Sequence, residues 1–339
     1  MAVLLGTSDG IYRISSIPFE NGPLEHTLES VSVRRLQTFR GTRGVFAATD
    51  EGLFRSTDGG HAWTDLAVPG NASVWSVLGT DDGALFAGTD GPRLYRSIDD
   101  GNRWVELEGF RDLPSIGRWE SPGDRNRARL RSLSSPPGHS AHIVAGVEVG
   151  GLHVSTDGDE TWVDRRREGP DDVHRVVALS PEAYVLAAGY FDLTLEHLDQ
   201  GHALALGGLH RTTDCGRSWR RLDRTNDFAY VLNFHLQAGR LCFEGARNSP
   251  PTWRAEGVDA RCFESPNLGR TIVERERDRE PPDLMVAWCS YNDTLLAGTS
   301  WHGAGEAPSR PGRVLRDTGA SYEEVGTVPA NVRALATAD

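Results

Sequence analysis

One pattern constrains the fold more than any other: Ser/Thr-x-Asp-x-Gly-x-x-Trp, which returns along the chain. "RSTDGGHAWTDL" stands at 55–66, "RSIDDGNRWVEL" at 96–107 and "RTTDCGRSWRRL" at 211–222. "VSTDGDETWVDR" at 154–165 is a near copy with its glycine displaced by one. Such periodicity marks a chain assembled from like supersecondary units, none of which buries its apolar face alone.

The residues around each copy define the unit. "VFAATDEGLFRSTDGG" (45–60), "LFAGTDGPRLYRSIDDG" (85–101) and "IVAGVEVGGLHVSTDGD" (143–159) each read as strand, turn, strand, turn motif. A further alternating strand precedes them, as in "VWSVLG" (74–79), "RLRSLS" (129–134) and "VHRVVALS" (173–180). The expected unit is therefore strands A, B and C, the motif turn and strand D, a four-stranded antiparallel sheet of roughly 40 residues, which is a propeller blade. "ESPNLGRTI" (264–272) and "LRDTGASY" (315–322) are degenerate copies. The opening "AVLLGTSDGIYRIS" supplies strands B and C of a further unit, and "NVRALATAD" at the end supplies its missing strand A. The expectation is all-β: a seven-bladed β-propeller over 1–339, a single domain, closed by pairing of the last strand with the first unit so that no edge is left open there. Six blades is the alternative, if 264–272 is not a complete unit.

The motif has a mechanical reading. Asp58, Asp99, Asp157 and Asp214 are short acceptors for backbone N–H groups in the C–D turn. Gly60, Gly101 and Gly216 allow positive φ there. Trp63, Trp104, Trp162 and Trp219 are placed to pack between neighbouring sheets. These copies resemble the BNR/Asp-box repeat of sialidase-like and sortilin-type propellers, over nearly the whole chain. The resemblance implies the fold. It implies activity only weakly, because such scaffolds carry many functions.

Composition narrows the partners. The net charge is −12 and all 36 basic residues are arginine, a balance that fits a halophilic protein or GC-rich codon usage and argues against nucleic acid and anionic membranes. The start lacks the pattern of a secretory signal and no apolar run reaches spanning length, so a soluble, cytoplasmic chain is expected. Cys215, Cys242, Cys262 and Cys289 form no C-x-x-C pair. No cofactor is implied.

Extra residues gather at 108–128, 190–208, 245–260 and 300–312, all at turns opposite the motif. Long loops on a rigid scaffold carry function, so a ligand pocket is expected at the mouth they wall. Phe110, Trp119, Phe191 and Trp253 from these loops would, if they form a flat apolar rim, mark a protein partner surface. Trp75 and the nearby strand ends supply the rest of the mouth. The candidate ligand-binding set is Arg34, Arg129, Arg247, Asn248, Tyr190, Glu244, Trp301, His302 and Arg333. Arginines beside aromatics suit a small polar ligand that is anionic or glycan-like. The candidate catalytic set is His174, Glu148, Tyr230 and Asp192. A sialidase-like hydrolase would need an arginine triad, a Tyr–Glu pair and an acidic Asp. Arg129, Arg247, Arg333, Tyr230, Glu148 and Asp192 supply those types, while the Arg-Ile-Pro start of such enzymes is missing. His174 with Glu148 is a possible acid–base pair for another hydrolase or lyase. A metal held by Glu148, His174 and His302 is conceivable, but no spacing motif supports one, and none is expected. The leading reading is a binding or scaffold propeller, with a glycoside hydrolase or lyase as the alternative.

Overall fold

The computed structural model describes residues 1–19, 23–70, 72–119, 128–165, 169–189, 207–222, 230–248, 250, 252–253, 257–277, 283–301 and 311–339. The chain divides into two compact units: residues 1–38, 43–65 and 233–339, and residues 39–42 and 66–232.

The first unit holds a four-stranded sheet ordered Val332–Ala338, Ala2–Thr7, Gly10–Ile14, Glu25–Leu28, with the C-terminal strand antiparallel to the N-terminal one. A second sheet runs Val33–Gln37, Val45–Thr49, Gly52–Ser56, Thr64–Asp65. An eight-stranded sheet, which belongs to this unit from Asn233 onward, runs Tyr230–Gln237, Arg240–Ala246, Ala260–Ser265, Val273–Arg277, then Ser321–Val328, Gly312–Asp317, Thr294–Trp301 and Asp283–Tyr291. Among the described residues the backbone ladder between its two halves consists of the parallel pairs Glu276–Ser321 and Arg277–Tyr322.

The second unit holds three four-stranded sheets. They run Val74–Gly79, Leu85–Thr89, Leu94–Ser97, Val105–Glu106; Leu130–Ser134, Ile143–Val147, Gly151–Ser155, Val163–Asp164; and Val173–Ala178, Tyr184–Ala188, Gly208–Thr212, Arg220–Arg221. Strand B is buried end to end, as in Val45–Thr49 and Ile143–Val147, because both faces of the sheet are covered there. The chain is thus all-β and built from four-stranded antiparallel sheets, the organisation of a β-propeller.

The motif turns repeat one hydrogen-bond scheme. Ser56 Oγ donates to Asp58 Oδ1 at 2.8 Å and accepts from Gly60 N at 2.9 Å, while Asp58 Oδ1 accepts from His61 N and Ala62 N at 3.0 Å. The same contacts recur around Ser97 and Asp99, Ser155 and Asp157, and Thr212 and Asp214. Hydroxyl donors strengthen two of them: Thr161 first of all holds the Asp157 carboxyl down to about 2, and Ser218 does the same for Asp214. The degenerate copy keeps the scheme without the charge, with Thr271 N donating to Asn267 Oδ1 at 2.8 Å and Gly269 N to Ser265 Oγ at 2.7 Å. Two successive residues in each of these turns are left-handed. Where Gly60 and Gly101 stand in the first copies, the displaced glycine leaves Asp159 at φ 83°. The tryptophans reach the preceding sheet: Trp63 Nε1 donates to Thr27 Oγ1 at 3.1 Å and Trp104 Nε1 to the Leu66 carbonyl at 2.8 Å.

A second repeat lies in strand A and is absent from the motif reading. Val33 pairs with Thr49 but Arg35 with Ala48, so the ladder skips Arg34. The same skip falls on Trp75, Arg131, His174, Val286 and Arg333. A β-bulge re-aims the side chain it carries. At four of these bulges the preceding residue is branched and aliphatic, and it enters the space above a strand-B glycine of the preceding sheet. A Cβ on Gly6 would lie 2.6 Å from Val33, on Gly88 2.6 Å from Leu130, on Gly146 2.5 Å from Val173 and on Gly298 2.3 Å from Val332. These glycines have ordinary φ; they are required by close packing.

Among the described residues the rim of exposed aromatics is not formed. Phe110 and Trp119 are buried, folding back on Trp162 and His153 with ring centroids 4.7–6.0 Å apart. Trp253 is also buried, its Nε1 donating to the Asn248 carbonyl at 3.0 Å. Burying such large rings outweighs displaying them. Phe191 lies outside the described residues.

Candidate functional site

Sheet geometry brings six polar and aromatic side chains together within residues 66–232. Two come from bulges, Trp75 and Arg131, and a third is His174. The others flank strand ends: Arg129, Glu148 and Asp172. Backbone bonds fix these ends in the same way in successive sheets. Asp90 N donates to the Ser73 carbonyl at 3.1 Å, Glu148 N to the Arg129 carbonyl at 3.0 Å and Gly189 N to the Asp172 carbonyl at 3.0 Å. An acid thus closes strand B in two of these sheets. In the third a glycine stands there, and the acid has moved across the ladder to Asp172.

The exchange has a steric reason. A Cβ on Gly189 would lie 2.3 Å from Asp172 Oδ2, 2.4 Å from Tyr230 Cε2 and 2.7 Å from His174 Cε1. Glycine is what lets these three side chains converge.

Glu148 is buried and holds two guanidinium groups. Arg129 Nη1 donates to Oε2 at 2.9 Å and Arg131 Nη1 to Oε1 at 2.6 Å. Arg129 also lies over the Trp75 ring, 4.5 Å from its centroid, and keeps 32% of its side chain exposed. Arg131 lies 5.8 Å from the same ring. His174 is buried; its Nδ1 donates to the Val231 carbonyl at 2.8 Å and its Nε2 faces Asp172 Oδ1 at 3.2 Å. The Tyr230 ring leans on the imidazole, centroids 4.7 Å apart. Burial opposes ionisation of Asp172, but His174 and then Arg131 outweigh it and hold the carboxyl below its ordinary value. Burial, and then the Asp172 charge, push the Tyr230 phenol well above its ordinary value.

Of the residues nominated from sequence, Arg129, Glu148, His174 and Tyr230 therefore come together. Arg131 and Asp172 were missed. The pattern aliphatic-x-Ser or aliphatic-x-Arg at the start of strand A marks the bulge, and aligning "VWS", "LRS" and "VHR" would have found Arg131. Tyr190, Asp192 and His302 lie outside the described residues.

The remaining nominees lie in the other unit and have structural partners. Both Glu244 oxygens meet Arg277, at 3.0 and 3.1 Å, and Met285 N donates to Oε2 at 2.5 Å. Arg277 continues to Asp283 at 3.0 Å, so Glu244 belongs to a closed ion-pair chain. The Asn248 amide organises its own loop, bonding the Gly257 carbonyl at 2.8 Å and Asp259 N at 3.1 Å; Arg247 beside it is exposed. Asn331 Oδ1 accepts from Trp301 N at 2.8 Å. Arg333 donates to Ser32 Oγ, and Ser32 N donates to Asp50 Oδ1 at 2.6 Å. Arg34 sits half-buried on its bulge. An open concavity of about 600 Å³ is lined by Asp259, Arg261, Glu274, Arg275, Glu276 and Arg277, with Ser321 and Tyr322. Its acids and arginines balance, so it presents no charge preference.

No family model matches this chain. A 90-residue stretch is 31% identical to a xyloglucanase of Hypocrea jecorina (strain QM6a), covering 25% of this chain and 11% of that protein. Among solved structures the chain is similar to the GH74 xyloglucanase of Xanthomonas campestris, with a TM-score of 0.59, 15% identity and coverage of 86% of this chain and 45% of that one. An ancestral GH74 enzyme gives a TM-score of 0.54 at 15% identity, over 86% of this chain and 37% of the other. YCF48 from Cyanidioschyzon merolae gives 0.56 at 13% identity, over 89% and 88%. The chain thus spans less than half the length of the GH74 enzymes. These likenesses are of fold.

Proposed function

We propose that the chain is a single seven-bladed β-propeller that binds a small polar ligand, anionic or carbohydrate-like, at Trp75 and Arg129. The count of seven takes the halves of the eight-stranded sheet as separate blades, since among the described residues just two parallel ladder pairs join their backbones. The observation that carries the binding reading is the Arg129 guanidinium, laid on the Trp75 ring and tied to buried Glu148 by one N–H. Such a fork is preorganised, so little side-chain entropy is lost when its other donors meet a ligand carboxylate. The Trp75 ring beside it offers a face for a sugar.

The nominated acid–base groups fit catalysis less well. Both Glu148 oxygens are engaged by arginines, both His174 nitrogens face partners, and the Tyr230 phenol resists the ionisation a nucleophile needs. The xyloglucanase stretch is what favours the second reading, a glycoside hydrolase acting at the same place. Incubation with xyloglucan and with oligogalacturonate separates the two. Binding predicts a thermal shift with oligogalacturonate and no new reducing ends from either polymer. Release of reducing ends from xyloglucan would overturn it in favour of hydrolysis. The lysine-free, acidic composition supports working in concentrated salt, so the assay is run at both low and molar salt.

A further inference from the structure

We propose that Glu148, Asp172 and His174 form a site for one divalent transition-metal ion of the zinc or manganese kind. One ligand atom from each lies within 4.8 Å of the others, and all three side chains are buried. The separation of Asp172 Oδ1 and His174 Nε2, 3.2 Å, is close to the edge of a tetrahedron around an ion with bonds of about 2.0–2.1 Å. All three bind one ion at once only when Glu148 moves toward the other two, so the Asp172–His174 pair is the part of the site already at bonding separation. An imidazole nitrogen with two carboxylates is a donor set for zinc or manganese, and calcium would take oxygen ligands alone.

Two further observations point to a cation. The Asp172 carboxylate is fully buried, and beside the His174 ring at 3.2 Å neither oxygen has a donor of full hydrogen-bond geometry among the described residues. Buried acceptors are satisfied in the great majority of proteins, and an ion is one means of doing so. The second is the bond from His174 Nδ1 to the Val231 carbonyl. It fixes the ring orientation and directs Nε2 at Asp172, as the outer-shell partner of a metal-bound histidine does.

Charge decides how the ion is held. Arg129 and Arg131 already neutralise Glu148, so Asp172 and His174 are the principal ligands. Gly189 keeps the approach to Asp172 and His174 clear of a side chain. This inference does not rest on the ligand reading: a ligand at Trp75 needs only the outer fork of Arg129.

The test is titration of the chelator-treated full chain with Zn²⁺, Mn²⁺ and Ca²⁺, followed by calorimetry and thermal melting. One Zn²⁺ or Mn²⁺ per chain is expected, with a melting temperature that rises with ion concentration. Asp172→Asn and His174→Gln should each weaken binding at least about tenfold. Should both variants fail to fold, X-ray absorption on the zinc-loaded wild type reads the same point through an imidazole nitrogen and carboxylate oxygens at about 2.0–2.2 Å. No stoichiometric site, binding undiminished in both folded variants, or an oxygen-only shell overturns the proposal.

Discussion

Gly146→Ala isolates the packing rule that joins one sheet to the next. Alanine in place of a strand glycine with ordinary φ normally stabilises by about 0.4–1 kcal/mol, because the unfolded chain loses freedom. Here the added Cβ would lie 2.5 Å from Val173 Cγ1 and 3.6 Å from Ser132 Cβ. Carbon atoms in contact sit about 3.5–4.0 Å apart, so Val173 must retreat by about 1 Å, and with it the bulge that carries His174. Overpacking of this order costs about 1–3 kcal/mol, which reverses the sign. Gly117→Ala is the control, since its Cβ would meet nothing within 4 Å. In urea unfolding Gly146→Ala should lower the midpoint while Gly117→Ala leaves it level or raises it. Adding Val173→Ala to Gly146→Ala should recover part of the loss, a coupling that a double-mutant cycle measures. A Gly146→Ala chain as stable as the wild type, or no coupling to Val173, would refute the reasoning.

Three further outcomes follow from the turns and the buried charges. Asp157 and Asp214 are held at about 2 against an ordinary 3.8, so their contribution is complete above about pH 4 and lost as the pH falls through 2; thermal melts from pH 5 to 2 should show less acid loss in Asp214→Asn than in the wild type. Leu268 adopts φ 55° where other copies of the turn carry glycine or a small or polar residue, and Leu268→Gly should stabilise by about 0.5–1 kcal/mol in the same urea assay. Glu244→Gln keeps the shape but leaves Arg277, Asp283 and Arg313 unbalanced inside the sheet, and should destabilise by about 3 kcal/mol, more than Arg261→Gln at the exposed Arg261–Glu274 pair.

Sequence periodicity carried the strands because each repeats its own local chemistry: "VWSVLG" is the strand Val74–Gly79 residue for residue, and the Ser-x-Asp turns fall where the motif puts them. The bulges were hidden because a skipped residue changes pairing without changing alternation enough to notice. This is why Arg129 was nominated while Arg131 was not. Asp172 was invisible for a related reason, since its role depends on Gly189 giving up the acid position one strand away. Phe110 and Trp119 read as exposed because sequence marks a long insertion but not the direction in which it folds. Where the motif decays, at 264–272 and 315–322, a charge lattice stands in: Arg240 and Arg275 each bridge Glu264 and Asp317. Nothing local in the sequence announces partners 11–77 residues apart.

The central claim is that Arg129, held by Glu148 and Trp75, is a prepared grip for an anionic sugar. Calorimetric titration of trigalacturonate into the wild type and into Arg129→Ala tests it most directly. The account predicts one site in the wild type, weakened by added salt, and a loss of at least about tenfold in Arg129→Ala, a variant that thermal melting shows to be folded at the assay temperature. Equal affinity in the two chains would contradict it, as would tighter binding of a neutral xyloglucan oligosaccharide.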